Sequence, residues 1–374
     1  MKKSKTFFAC AMLAALASCS NDHVLSQQSP APSDPDVINI VAASSKPVTR
    51  AANIAADMQD TQFADNELIN VYLEENVPSG GGSATTTYTM LRYKVTNTNN
   101  NGGKQLALNT DYTQDAPHYP ISGNGIDAYA FYPALGTGTS AYDVTKNLYS
   151  FSVAENQSAI ADYRKSDLMF GTNNWDTSTG APFTSFAGTK KPNPVNLYFK
   201  HLLSKIIVKL KPGPGLTAAQ LKGATVKLYN AYPKATINPS KTDITVSVDN
   251  TTSTPPTGGY TLTTGYASTE SSLNPDTYEG CAGIIIPQDI DIPSSPGVTK
   301  FIEITLSSTY GSAKYVYNIA DGDGTSDNKM TFASGNQYTY TITLSAGDVV
   351  VVSTEIKNWN NNNISGNANL EPAS

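Results

Sequence analysis

Cysteine is scarce in this chain: its 374 residues contain three, Cys10, Cys19 and Cys281. Cys10 lies within an apparent leader and Cys19 at its end, so Cys281 is left alone and no disulfide is expected within the mature chain. Stability then has to come from packing. Histidine is as rare, at His23, His118 and His201, in separate segments and without metal-ligand spacing to one another or to a cysteine. No metal and no cofactor are therefore expected. An excess of positive charge is also missing. The formal net charge is −6, which gives no electrostatic footprint for nucleic acid or for an anionic membrane surface. The chain has no GxSxG elbow, P-loop or CxxC pair, and no catalytic residue is nominated. Asp321-Gly-Asp-Gly-Thr-Ser-Asp327 has the look of a calcium loop, but position twelve is Phe332, where a bidentate glutamate is needed. An Asx-rich hairpin turn is the better reading there.

Arginine occurs only at Arg50, Arg92 and Arg164, so lysine supplies nearly all of the 25 basic residues. Tryptophan occurs only at Trp175 and Trp359, which weakens any case for a stacked-sugar platform. Helical periodicity is almost absent.

The N-terminus is the most explicit feature present. Lys2, Lys3 and Lys5 precede an apolar run from Thr6 to Ala17 that is too short to span a bilayer. The run closes on Leu16-Ala17-Ser18-Cys19, a match to the bacterial lipobox. Residues 1–18 are therefore expected to be a lipoprotein signal peptide and Cys19 the lipidated first residue, with acyl chains sufficient for stable anchoring. The competing reading is an ordinary cleaved signal with an incidental cysteine. The residue after Cys19 is Ser20 and not the aspartate that holds lipoproteins at the inner membrane, which points to the outer membrane.

Tyrosine, threonine and valine in alternation, punctuated by 27 glycines and 22 prolines, predict short antiparallel strands. The clearest are Leu68–Leu73, Tyr88–Val95, Ile126–Pro133, Lys205–Leu210, Ala224–Tyr229, Gly283–Pro287, Phe301–Leu306, Lys314–Ile319 and Gln337–Leu344. Their spacing fits β-sandwiches. Thr96–Lys104 and Val248–Gly259 read as polar, mobile loops. The turn-rich stretch Gly171–Pro194 marks a boundary, giving an N-terminal domain over 51–194 and a C-terminal one over 195–374.

Residues 19–50 form a prosegment: a polar tether, then the β-prone Val37–Ala43, then a loop ending in Arg50. A trypsin-like cut between Arg50 and Ala51 would free that strand to leave. A sandwich that loses an edge strand exposes an apolar groove and unpaired amides, which a strand from a second molecule can fill. The candidate donor is Asp348–Trp359, with Val349, Val350, Val351, Val352, Ile356 and Trp359 as the side chains of interest. The alternative is that Val349–Val352 is simply the last strand of its own sandwich. Donor and acceptor surfaces differ, so such contacts build an open filament.

The lipobox at Cys19, the Arg50-Ala51 junction, Ala128–Pro133, Asp167–Gly171, Phe199–Lys205, Gly335–Tyr340 and Glu355–Trp359 together resemble the fimbrillin-like proteins of Bacteroidetes, the subunits of type V pili. The resemblance implies an all-β chain of two transthyretin-like antiparallel sandwiches in tandem. It implies lipidation at Cys19, export to the outer membrane, cleavage at Arg50-Ala51 by an arginine- or lysine-specific protease, and polymerisation by strand exchange into a cell-surface fimbrium. The partners it implies are other copies of this chain, other pilus subunits, the maturation protease, and host-surface or bacterial ligands. Having both a cleavage site and a donor favours a stalk subunit over an anchor or tip. The competing class is a glycan-binding β-sandwich lipoprotein.

Overall fold

The computed structural model describes residues 36–43, 63–77, 87–100, 103–134, 149–173, 194–238, 244–264, 278–292, 298–320, 328–346 and 348–358. The described chain is all-β, with only short helical turns. Its first strands are β1 (Ile40–Ala43), β2 (Leu68–Glu75), β3 (Thr87–Asn100), β4 (Gly103–Leu108), β5 (Ile126–Tyr132) and β6 (Tyr149–Ser152). A one-and-a-half-turn helix, α1 (Ile160–Lys165), leads into β7 (Met169–Thr172) and β8 (Val195–His201). Seven of these strands pair in the cyclic order β1-β4-β3-β2-β5-β7-β8 and close a barrel.

Alternation along these strands builds two cores at once. In β5, Ile126, Ala128, Ala130 and Tyr132 point into the barrel, while Tyr129 and Phe131 point out of it, and all six are buried. Ile69, Val71 and Leu73 of β2 and Met169 of β7 join the inner set. Tyr72 and Phe170 join the outer one. The outward rings meet tilted or stacked, with Tyr72–Tyr129, Tyr129–Phe170 and Phe131–Phe170 centroids 6.2, 6.4 and 5.3 Å apart. Such pairs contribute about 0.5–1.5 kcal/mol each beyond the area they bury.

The outer aromatics belong to the second core, which the rest of the chain supplies. Its strands are β9 (Ser204–Pro212), β10 (Thr225–Leu228), β11 (Lys234–Asn238), β12 (Thr245–Val248), β13 (Tyr260–Thr261), β14 (Thr263–Thr264) and β15 (Tyr278–Ile285). A short helix, α2 (Ala218–Leu221), carries a Thr217/Gln220 capping box between β9 and β10. There follow β16 (Gln288–Asp291), β17 (Val298–Thr305), β18 (Lys314–Ala320), β19 (Lys329–Phe332), β20 (Asn336–Ser345) and β21 (Asp348–Asn358). One sheet runs β14-β15-β9-β20-β21 and another β13-β10-β17-β18. Ile206, Val208 and Leu210 of β9 and Tyr338, Tyr340 and Ile342 of β20 lie in the core shared by these sheets.

The strands anticipated from alternation are all present, with ends shifted by a few residues. Thr96–Lys104, anticipated as a loop, instead continues β3 to Asn100 and resumes as β4 at Gly103, pairing Asn99 with Lys104 and Asn100 with Gly103. Backbone ladder bonds are indifferent to the polarity of the side chains they carry, which is why an asparagine-rich arm still forms a hairpin. The helix α1 was not anticipated. The 194/195 junction falls just before β8, a strand of the barrel. Upstream of it, β6 pairs with β11 in the second half, Phe151 against Ala235.

Candidate functional site

The barrel is closed by β1, which at four residues is as short as β7. β1 lies between β4 and β8, antiparallel to the first (Ile40 opposite Leu106, Ala43 opposite Gly103) and parallel to the second (Ile40 opposite Val195, Ala43 opposite Tyr198). Flanking bonds fix its entry. Ile38 N–H donates to the Pro117 carbonyl and Tyr119 N–H to the Asp36 carbonyl, both at 2.8 Å, and Val195 N–H donates to the Asn39 carbonyl at 2.8 Å. The Tyr88 hydroxyl accepts from His118 N–H at 3.0 Å, holding the loop over which the strand enters.

This segment is among the most deeply buried in the molecule. Ile38, Ile40, Val41 and Ala42 are 2%, 0%, 0% and 2% exposed. Ile38, Ile40 and Ala42 enter the barrel core with Leu106, Val195 and Leu197, whereas Val41 points to the opposite face and is buried there. Asn39, between them, is exposed. Fully burying an isoleucine or valine is worth about 1.5–3 kcal/mol. The strand is thus an apolar plug with main-chain bonds on both edges, joined to the rest of the fold only through residues 44–62, which lie outside the described residues.

The chain is anchored firmly where it returns. Phe63 packs edge-on against Tyr132 and Phe199, at 5.1 and 4.9 Å. The Glu67 carboxylate accepts from Ala64 N–H at 2.7 Å and from the Tyr132 hydroxyl at 2.8 Å, with the Arg164 guanidinium 3.8 Å away. Burial raises the Glu67 carboxyl above its ordinary value, and desolvation together with the neighbouring Glu67 charge raises the Tyr132 phenol. Beside this cluster, His201 Nδ1 lies 2.9 Å from Oδ1 of the fully buried Asp167. The segments Asp167–Gly171 and Phe199–Lys205, distant in sequence, meet here: Met169 opposes His201 in the β7–β8 ladder. The sequence alone offers no partner for His201; the β7–β8 register supplies Asp167.

Cys19, Arg50, Ala51 and Trp359 lie outside the described residues, as does the loop at residues 321–327. Val349, Val350, Val351, Val352 and Ile356 lie in β21, the edge strand of its sheet, paired antiparallel with β20 from Asn336–Asn358 to Ser345–Asp348. Val349, Val352 and Ile356 pack half-buried on the second core. In the isolated chain this segment therefore occupies its own sheet, and the barrel does not take it up. No group of three or more metal-ligating side chains occurs among the described residues.

Of the two arginines within the described residues, Arg92 sits mid-strand in β3, 6% exposed, its guanidinium 4.0 Å from the centroid of the Tyr112 ring. Its carbonyl accepts from Asn109 N–H at 2.8 Å and from Gln114 Nε2 at 2.7 Å. Arg164 lies in α1 against Glu67.

The described residues thus form a β-rich body whose seven-stranded barrel is closed by β1. The chain belongs to the fimbrillin-like family, which matches residues 49–359. Two solved structures that share the fold are a candidate cell adhesion protein of Bacteroides uniformis (19% identity, TM-score 0.54, covering 88% of this chain and 100% of that one) and another of Bacteroides ovatus (17%, 0.52, 86% and 97%). The tip fimbrial protein of Porphyromonas gingivalis aligns at 10% identity and a TM-score of 0.38 over 86% and 99% of the two chains. No curated protein matches the sequence.

Proposed function

We propose that this chain is a structural subunit of a type V pilus, a non-enzymatic protein of two sandwich-like halves in tandem that works by exchanging strands with its neighbours. It is exported as a lipoprotein, lipidated at Cys19, and held at the outer membrane until an arginine-specific protease cuts between Arg50 and Ala51. The prosegment strand then leaves the barrel. An equivalent of β21 from the next subunit takes its place, and the heterologous contact repeats into a filament.

The observation that carries this reading is the placement of β1. It is short, deeply buried, hydrogen-bonded on both edges, and connected to the fold only through the segment that contains the cleavage site. Carrying both a removable strand and a C-terminal donor suits a stalk position, in which each subunit gives one strand and receives one.

The test is limited trypsin digestion of the non-lipidated precursor, followed by intact mass measurement and electron microscopy. The expected result is one early cut after Arg50 and then filaments that fail to form when residues 349–359 are deleted. A clean cut that yields only monomers would overturn the stalk assignment in favour of an anchor, a tip or a glycan-binding lipoprotein.

A further inference from the structure

The slot occupied by β1 has a definite pattern of demand. Positions 38, 40 and 41 are fully desolvated and filled by large aliphatic side chains, position 42 is equally buried but takes only a methyl group, and position 39 faces solvent. The acceptable sequence is therefore large, free, large, large, small, as in Ile38-Asn39-Ile40-Val41-Ala42. The same pattern recurs in β21 as Val349-Val350-Val351-Val352-Ser353.

We infer that the barrel slot between β4 and β8 accepts residues 349–353 of a second copy of this chain in one register, with Val349, Val351, Val352 and Ser353 replacing Ile38, Ile40, Val41 and Ala42. The inference rests on the strand-exchange reading above and adds to it the register and the side chains that set it. The strand takes the direction of β1, antiparallel to β4 and parallel to β8. A shift of one residue changes which side chains enter the core, so neighbouring registers are strongly disfavoured. Moving the donor one way puts Ser353 at the buried Val41 position and the branched Thr354 into the methyl-sized Ala42 pocket. Moving it the other way buries the Asp348 carboxylate where Ile38 sits and forces Val352 into the Ala42 pocket. The 349–353 register buries one small hydroxyl, Ser353 at position 42, where the shifted registers bury either two hydroxyls with a branched Thr354 or a carboxylate with Val352 overpacking that position.

Ser353 is the discriminating residue. It is exposed in β21 of the free chain, so enlarging it leaves the subunit's own fold intact, whereas in the slot it must fit where Ala42 is 2% exposed. Val350 is the complementary probe, because in this register it takes the solvent-facing position of Asn39.

The experiment uses the chain cut after residue 50 or, if that bond resists, at a specific protease site inserted within residues 44–62. Synthetic peptides of residues 347–357 are titrated against it, reading binding by fluorescence anisotropy and the released prosegment by mass. The unsubstituted peptide is expected to displace the β1 segment. The S353L peptide should bind about tenfold or more weakly, while the V350N peptide binds as the parent does. Equal binding by the S353L peptide, loss with V350N, or no binding by the parent peptide would each overturn the inference. Filament assays with S353L full-length chain give an independent reading, and normal filaments would overturn it as well. If filaments never form but the peptides keep the expected order, the slot's preference stands and the assembly reading falls.

Discussion

Gly171 lies in β7 directly opposite Phe199 of β8, and the phenyl ring occupies the space a side chain would need. A β-carbon there would come within 2.7 Å of the ring. The aromatic covers the glycine so closely that Gly171→Val must displace Phe199 from the barrel core, next to Phe63. The expected cost is about 1–3 kcal/mol, read as a lowered urea midpoint with unchanged slope. Charge at single residues sets the pH response. Lys300 and Lys314 hold the Glu303 carboxyl below its ordinary 4.5, and Lys329 with Thr331 holds Asp289 below 3.8. Depressed carboxyl values stabilise the fold above the unfolded value, and this stability is lost as pH falls through the folded one. The melting temperature should therefore drop between about pH 5 and pH 3, less steeply in Glu303→Gln. Glu67, raised by burial, acts with the opposite sign, its protonated form being the better tolerated. None of these pairings could be read from the sequence, because Glu303 and Lys314, or Gly171 and Phe199, become neighbours only through strand register.

At the scale of the element, β1 combines strong local propensity with a purely tertiary role. Val37–Ala43 is legible as a strand from its composition, and the structure keeps Ile40–Ala43 as the strand proper with a single bridge at Val37. That it closes a barrel is not legible, since both of its partners are distant in sequence. Ile40→Ala should destabilise the uncut precursor by about 2–5 kcal/mol in a denaturant titration. If the strand departs on maturation, the same change should leave assembled filaments as stable as those of the parent. A filament destabilised by Ile40→Ala would mean that β1 stays in place. For β21, the sequence left open whether it serves its own sheet or a neighbour's. The ten-pair ladder with β20 shows that it serves its own sheet in the free chain, so any donation must begin by peeling an edge strand, the least constrained kind in a sheet.

Across the whole molecule, the scarcity of arginine and the placement of what remains within regular structure work together. Arg92 is locked in a strand with its carbonyl doubly bonded, and Arg164 is bound into a helix beside Glu67. A protease needs several residues of extended, accessible chain, which neither site offers while the fold holds. An arginine-specific protease should therefore give one stable product from the native protein and attack Arg92 and Arg164 only after urea unfolding, as peptide mapping would show. The outward aromatics Tyr72, Tyr129, Phe131 and Phe170 extend the second core onto the barrel wall. Replacing Phe170 with alanine should accordingly weaken both halves together, giving one cooperative transition at lower denaturant instead of two separated ones.

By itself the sequence determined the all-β class, most of the strands and the family, because alternation, turn residues and short motifs are local properties that survive without knowledge of partners. Only the tertiary structure decided that Ile38–Ala42 plugs a barrel between β4 and β8, that His201 meets Asp167, and that β21 rests on β20. Each depends on which distant strands share a ladder, and register is set by the burial of whole faces in a common core.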